Sequence, residues 1–399
     1  MTLCRHFLCL TLGVSASLTA IASGSDFNRI ALSIAANSPQ LRAARFATDA
    51  ETASLRSENN LSDPEVEFGY LWGEGETDNK WNLSISQSFD WPGAYAARRK
   101  AIASGSKALE ESYRATQLST VLEVKLAMID LVNSRKHLQL AREMTDTIQR
   151  LYDAVKSGVA SGEVSRLDLN KLEIERVNLR RELGSCQRAY EDCLASLRIL
   201  NGGHECGEIA EILTDYPNEP LESEETYVRQ AIDSNPAITA ARTKAESDRL
   251  TAMAERRMSY PGFSIGYTYE HEVPDHWHGI TLGLTLPIFS NRHKAKAATL
   301  AANSAAMETI ALESSETATI TADRRKAAVL LDEIQTLRPA VESADHMLLL
   351  HKALRGGQLT LIEYLQEAQF FLQARKDFLE TEYQYNLTLT RLNRFTLLD

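Results

Sequence analysis

The chain has 399 residues, enough for two or three domains with a sizeable core. Its 43 Lys and Arg stand against 54 Asp and Glu, a net charge of −11. That balance argues against a nucleic-acid binder, because phosphate recognition calls for a basic face.

Residues 1–22 read as a secretory signal. Arg5 and His6 precede an apolar run from Phe7 to Leu12 that continues weakly to Ile21, and Ala20-Ile21-Ala22 fits the small-x-small cleavage rule. The mature chain is expected to start near Ser23. No later stretch holds about 18 consecutive apolar residues, so any membrane crossing would be made by strands. A first repeat is assigned to residues 23–201. Its pattern is helical and alanine-rich from Asp26 to about Asn60, until Asp63-Pro64 breaks it and the period changes from 3.6 to 2. A hairpin is predicted over 65–89. Val66, Phe68, Tyr70 and Trp72 alternate with Glu65, Glu67, Gly69 and Leu71 on its first strand; Trp81, Leu83, Ile85, Gln87 and Phe89 alternate with Asn82, Ser84, Ser86 and Ser88 on its second.

Trp91-Pro92-Gly93 closes the hairpin and opens a helix predicted over 94–157, with no proline and only Gly105 inside it. Two adjacent apolar seams run along it. Leu131, Leu138 and Tyr152 with Ala141, Ile148 and Val155 form one; Leu140, Met144 and Leu151 form the other. Such a helix packs against neighbours on both sides, as in a wall of helices; the alternative on periodicity alone is a rod-like coiled coil. After a reversal containing Gly158 and Gly162, a second helix is expected over 163–200. Residues 202–226 carry eight acids and no Lys or Arg, which reads as a solvated connector.

Cys4 and Cys9 would leave with the signal, and Cys186, Cys193 and Cys206 would stay. Cys186 and Cys193 lie about 10.5 Å apart along one helical pattern, too far to bridge. Cys193 with Cys206 is open if the chain doubles back at Gly202-Gly203. An odd count without regular spacing is neither a disulfide scaffold nor a zinc site.

The plan then returns over residues 227–399. Ser234-Asn235-Pro236 echoes Asn37-Ser38-Pro39, and Tyr260-Pro261 echoes Asp63-Pro64, each proline offset by 197 (236 − 39 and 261 − 64). A second hairpin is predicted over 262–286, a long helix over 291–355 with Pro339 expected to kink it, a reversal at Gly356-Gly357 and a last helix over 358–395. A tandem duplication of this kind marks a repeat architecture. The fold class is mainly α with a small β part.

Two hairpins give four strands, too few to close a barrel, and an open edge cannot face lipid. The strands must therefore come together from several chains, apolar faces toward lipid and Ser, Thr, Gly and Glu toward water. Trp72, Trp81, Tyr260, Tyr269 and Trp277 fall toward strand ends, where interfacial aromatics belong. The alternative is a water-soluble sandwich whose apolar faces meet each other.

These residues resemble the outer-membrane efflux proteins of Gram-negative bacteria, the TolC-like channels. Gln87-Ser88-Phe89-Asp90-Trp91-Pro92-Gly93 is similar to the cation-efflux, CzcC/CusC-like branch. Leu286-Pro287-Ile288-Phe289-Ser290 and Gly357-Gln358-Leu359-Thr360-Leu361-Ile362-Glu363-Tyr364-Leu365 look like the family's strand-exit and hairpin-tip motifs. The resemblance implies a homotrimer with a 12-stranded β-barrel in the outer membrane and a 12-helix α-barrel across the periplasm. It also implies a periplasmic adaptor and an inner-membrane pump of the RND type docked at the helix tips, with small molecules or metal cations as cargo. Two other functions stay open: an exit duct for type I-like protein or peptide secretion, and a non-channel secreted coiled-coil scaffold.

A duct needs a gate and a docking surface, and no cofactor. Through the resemblance, Glu363 falls where the family places an aspartate that narrows the tunnel's periplasmic end, Gln366 stands where a second acid is often found, and Asp168 is the first-repeat counterpart of Glu363. The bland alternative is that these are surface residues at helix tips. Adaptor contacts are expected at Gly158, Gly162, Ser165, Gly356, Gly357 and Thr360. His271, Glu272, His276 and His278 read as polar loop residues of the second hairpin, and no metal site is assigned. No G-x-S-x-G, phosphate loop or dinucleotide fingerprint occurs, so no enzyme is expected.

Overall fold

The computed structural model describes residues 24–73, 78–161, 164–288, 293–341 and 346–398. The expected signal segment, the first hairpin's turn at 74–77, and Gly162 lie outside the described residues. Helices α1 (Gly24–Asn37) and α2 (Pro39–Ser57) are one helical pattern interrupted at Ser38, whose backbone is extended. A residue before proline is driven out of the helical region, while proline itself fits the first helical position, where its missing N–H would have no partner.

Strands β1 (Glu65–Leu71) and β2 (Lys80–Phe89) follow, then α3 (Pro92–Ala160) and α4 (Arg166–Leu200). At 1.5 Å per residue, the 69 residues of α3 reach about 100 Å. Both seams are buried: Leu131, Leu138, Ala141 and Ile148 on one and Leu140, Met144 and Leu151 on the other are each under 9% exposed. The helix lies among α4 and helices of the second repeat, as a wall requires.

That repeat runs through α6 (Glu224–Ser234), α7 (Pro236–Arg257), β3 (Gly262–Glu272), β4 (Asp275–Thr285), α8 (Lys294–Val341), α9 (His346–Arg355) and α10 (Leu361–Leu392), closed by a 3-10 turn at Asn393–Thr396. Asn235 breaks α6 from α7 as Ser38 breaks α1 from α2, and its Oδ1 accepts the Ala237 N–H at 2.9 Å. Helix α8 continues through Pro339 only to Val341. The larger core cluster gathers Phe27, Ile34, Met128, Leu131, Tyr227 and Leu392 from four helices, α1, α3, α6 and α10. A second runs toward the tips through Leu140, Met144, Leu151, Leu172, Leu350 and Tyr364.

Two expectations are corrected. The segment after Gly202 is not simply solvated: it forms α5 (Gly207–Ile212), and Cys206, Ala210 and Leu213 are buried in the larger core cluster. Most of its acids point to water, Glu219 excepted, while the apolar residues between them pack, and Arg135 on α3 donates to the Ala210 carbonyl at 2.7 Å. Second, His271, Glu272, His276 and His278 lie on strands, because β3 and β4 are joined across Val273-Pro274 alone. Cys186, Cys193 and Cys206 are all free thiols, so the Cys193–Cys206 bridge does not form.

Among the described residues the four strands make one antiparallel sheet in the order β1-β2-β3-β4. The hairpins, far apart in the chain, lie side by side through the β2–β3 pairing.

Candidate functional site

Register sorts the sheet into two faces, since directly opposed residues share a side. Across the four strands run the rows Val66-Ile85-Tyr267-Ile280, then Phe68-Leu83-Tyr269-His278, then Tyr70-Trp81-His271-His276. This face is uncovered: Val66, Ile280 and Leu282 are 67%, 73% and 80% exposed. Among the described residues the strands form a single sheet with no second sheet facing it, so the sandwich alternative is not found within one chain. The polar face carries Glu65, Glu67, Asn82, Ser84, Ser86, Thr268, Glu270 and Thr281. There Lys80 bridges Glu270 and Glu272, the latter at 3.1 Å. Trp277 opposes Glu270 and therefore stands on the polar face, which corrects its place among the interfacial aromatics.

The remaining aromatics form two belts. Trp91 and Tyr260 pair at the helix end of the sheet with centroids 5.9 Å apart, and Trp81 and Tyr269 pair at the far end at 5.3 Å. Trp81, near the start of β2, and Trp91, two residues past its end, are ten positions apart, which at about 3.4 Å each and a tilt near 40° is about 25 Å, the height of a barrel's apolar band. Strands β1 and β4 each leave one edge unpaired in the single chain. No helix among the described residues is long and apolar enough to cross a membrane.

At the opposite end lie the two reversals. Gly357 has φ 67°; its N–H donates to the Leu354 carbonyl at 3.1 Å and that of Gln358 to the Ala353 carbonyl at 2.9 Å. This pairing of bonds is a Schellman end, and the left-handed residue is the one that needs glycine. Thr360 then caps α10. The Thr360 Oγ1 accepts the Glu363 N–H at 3.3 Å, and Glu363 Oε2 accepts the Thr360 N–H at 2.7 Å and its hydroxyl at 2.8 Å. The backbone N–H first, and the hydroxyl second, hold the Glu363 carboxyl below the usual carboxylate range. Gln366 is exposed one turn further on.

The first-repeat tip is built differently. Ser165 caps α4 by accepting the Leu167 N–H at 3.1 Å, and Asp168 lies 3.8 Å from Lys171 without reaching back to the cap. Gly158 is still helical, within α3. Glu363 and Asp168 thus stand on separate hairpins, at equivalent positions with different partners.

Several polar links between helices are invisible in the sequence, because their partners are far apart or irregularly spaced. Glu173 bonds both the Tyr152 hydroxyl and the Arg176 guanidinium, which lies 4.3 Å from the Tyr152 ring centre. Arg176 first, then Tyr152, hold the Glu173 carboxyl low. This clasp joins α3 to α4. Helix α10 is joined to α3 through Arg375–Glu143 at 3.1 Å and Lys136–Glu382 at 2.7 Å, and to α4 through Lys376–Glu182. The Tyr364 hydroxyl meets His351 Nδ1 at 2.9 Å and ties α10 to α9.

Residues 32–203 match the family model of outer membrane efflux proteins. The chain is 23% identical over 401 residues to the cobalt-zinc-cadmium resistance protein CzcC of Cupriavidus metallidurans, covering 96% of this chain and 90% of that one. Its fold resembles a membrane protein of Pseudomonas aeruginosa with a TM-score of 0.75 at 18% identity, over 97% of this chain and 99% of the other. It resembles CusC equally, with a TM-score of 0.75 at 16% identity over 97% and 95% of the two chains.

Proposed function

We propose that this chain, whose residues 32–203 match the outer membrane efflux protein family, is the exit duct of a tripartite efflux system. Three copies would join their four-stranded sheets edge to edge into a 12-stranded barrel in the outer membrane, with the long helices forming a tunnel through the periplasm. The observation that carries this reading is a sheet with two unpaired edges and a bare apolar face flanked by aromatic belts, a surface stable only against lipid and further strands.

The duct is passive. An inner-membrane pump of the RND type would supply energy through a periplasmic adaptor docked at the two reversals, around Gly158 and Ser165 and around Gly356, Gly357 and Thr360. Three copies of Glu363, with Asp168 and Gln366 nearby, would set the narrow end of the tunnel, a carboxylate ring favouring cations. The likeness to CzcC supports divalent metal cations as the first cargo to test.

The test is fractionation followed by electrical recording. The protein should resist carbonate extraction from washed envelopes, leave only with detergent, and form discrete channels in planar bilayers. Release by carbonate alone would instead mean a secreted scaffold. In a deletion strain, lost secretion of a protein with unchanged metal and drug sensitivity would mean a secretion duct.

A further inference from the structure

At the far end of the apolar face, His271 on β3 and His276 on β4 stand directly opposite each other. Their rings stack with centroids 4.6 Å apart, and their Nδ1 atoms are 2.7 Å apart. The Tyr269 hydroxyl lies 3.2 Å from His276 Nδ1, and Trp81 closes the other side with its ring centre 5.6 Å from that of His271. His271 is half-buried and His276 exposed, so the pair is held by its neighbours on one side and open to solvent on the other. The acids of this region, Glu270, Glu272 and Asp275, sit on the opposite face.

Two imidazole nitrogens this close share a hydrogen bond, and the same two donors are near the spacing a chelate needs. Metal–nitrogen bonds of about 2.0–2.1 Å at 90–110° need the two donors roughly 3 Å apart, a few tenths more than the present spacing and within reach of small ring rotations. We propose that His271 and His276 form a two-histidine site for a borderline divalent transition metal of the Zn²⁺ or Cu²⁺ class, fastening β3 to β4 at the outer rim of the sheet. Imidazole selects such ions over Mg²⁺ or Ca²⁺, which take oxygen ligands. The ring that carries its proton on Nδ1 gives it to water and takes one up on Nε2. Both rings then stay neutral and donate through Nδ1, with no net proton released. Among the described residues no three His, Cys, Asp or Glu side chains converge on one point, so water completes the coordination. His278 lies one row away, beside Tyr269, and is not a ligand. Metal binding does not depend on the channel reading; only the location at the outer membrane's external rim does.

The experiment uses the full mature chain in detergent micelles at neutral pH, titrated with CuCl₂ and followed by calorimetry and electron paramagnetic resonance. One Cu²⁺ per chain with two imidazole nitrogens in its spectrum is expected. His271→Gln and His276→Gln should each weaken binding on the order of tenfold or more, as loss of one of two ligands requires, while His278→Gln leaves it unchanged. Either variant suffices if the other misfolds, and a wild-type far-ultraviolet circular dichroism spectrum identifies folded protein. Wild-type affinity in both folded variants would overturn the site, as would loss of binding in His278→Gln. Metal binding unchanged in variants that lose attachment to anionic vesicles would also overturn it, assigning the pair to lipid headgroups.

Discussion

The ammonium of Lys125, on a side chain with no solvent exposure in the middle of α3, lies 2.7 Å from the Glu219 carboxylate of the segment that links the two repeats. The other Glu219 oxygen accepts from Asn393 Nδ2 at 2.5 Å, so one carboxylate joins the long helix, the connector and the chain's last turn. A buried cation stripped of its partner is costly, whereas a pair replaced by packed apolar groups often is not. Glu219→Ala should therefore destabilise the helical body by roughly 3–5 kcal/mol, and Lys125→Met in the same chain should restore much of the loss. Thermal unfolding of the purified protein in detergent checks both; equal stability of Glu219→Ala and wild type would show that the pair is not coupled to folding.

Glu363 offers a pH-dependent prediction. Its folded-state pKa is depressed by the Thr360 N–H and hydroxyl, so the cap contributes fully above the ordinary value of 4.5 and is lost as pH falls through the lower folded value. Amide exchange at Thr360 and Glu363 should accelerate over that acidic range, and Glu363→Gln should flatten the dependence. In bilayers, Glu363→Ala should raise single-channel conductance or reduce cation preference; unchanged currents and selectivity would remove Glu363 from the gate.

At the same tip, Tyr364 is buried and its hydroxyl meets His351, whose pKa burial lowers first, assisted by Arg355 on its own helix and Arg150 on α3. A neutral ring can accept the hydroxyl's hydrogen bond at Nδ1, and a protonated one cannot. The link is therefore intact above the ordinary histidine value of 6.5 and is lost as pH falls through the depressed folded value. Tyr364→Phe should speed hydrogen exchange of the α9–α10 hairpin at pH 7.5 and make it less responsive to acid. Identical exchange in variant and wild type would show that the bond does not hold the hairpin.

The two faces of the sheet should respond oppositely to charge. Leu282→Arg on the apolar face should cost about 2–4 kcal/mol near the bilayer midplane, whereas Thr281→Arg on the polar face should be tolerated. The yield of heat-modifiable oligomer in outer membranes measures this, and equal yields would contradict the assignment of faces.

Much of this architecture is legible from periodicity. The alternation of Phe263, Ile265, Tyr267 and Tyr269, and the prolines at 39, 64, 236 and 261, mark hairpins and helix starts, because a period of two and a missing N–H leave local traces. Other features leave none. Leu213 and Tyr216 are scattered among acids and show no period, so their burial and the Lys125–Glu219 pair, 94 residues apart, emerge only in three dimensions. His271 and His276 read as loop because their composition is polar, yet the two-residue Val273-Pro274 turn extends the strands beneath them. At the candidate gate, glycine and threonine spacing reveals the reversal at 356–360, and the Thr360-x-x-Glu363 spacing is the signature of a capping box, so the engagement of Glu363 by its own cap was legible and missed.

The central claim is that the side of the sheet bearing Leu282 meets lipid and the side bearing Thr281 meets water. In a background with Cys186, Cys193 and Cys206 replaced by alanine, Leu282→Cys and Thr281→Cys can each be labelled with an environment-sensitive fluorophore in outer-membrane vesicles. Quenching by brominated lipid at position 282 and by aqueous iodide at position 281 is the expected result. Iodide access at 282, or shielding of both positions from both quenchers, would contradict it.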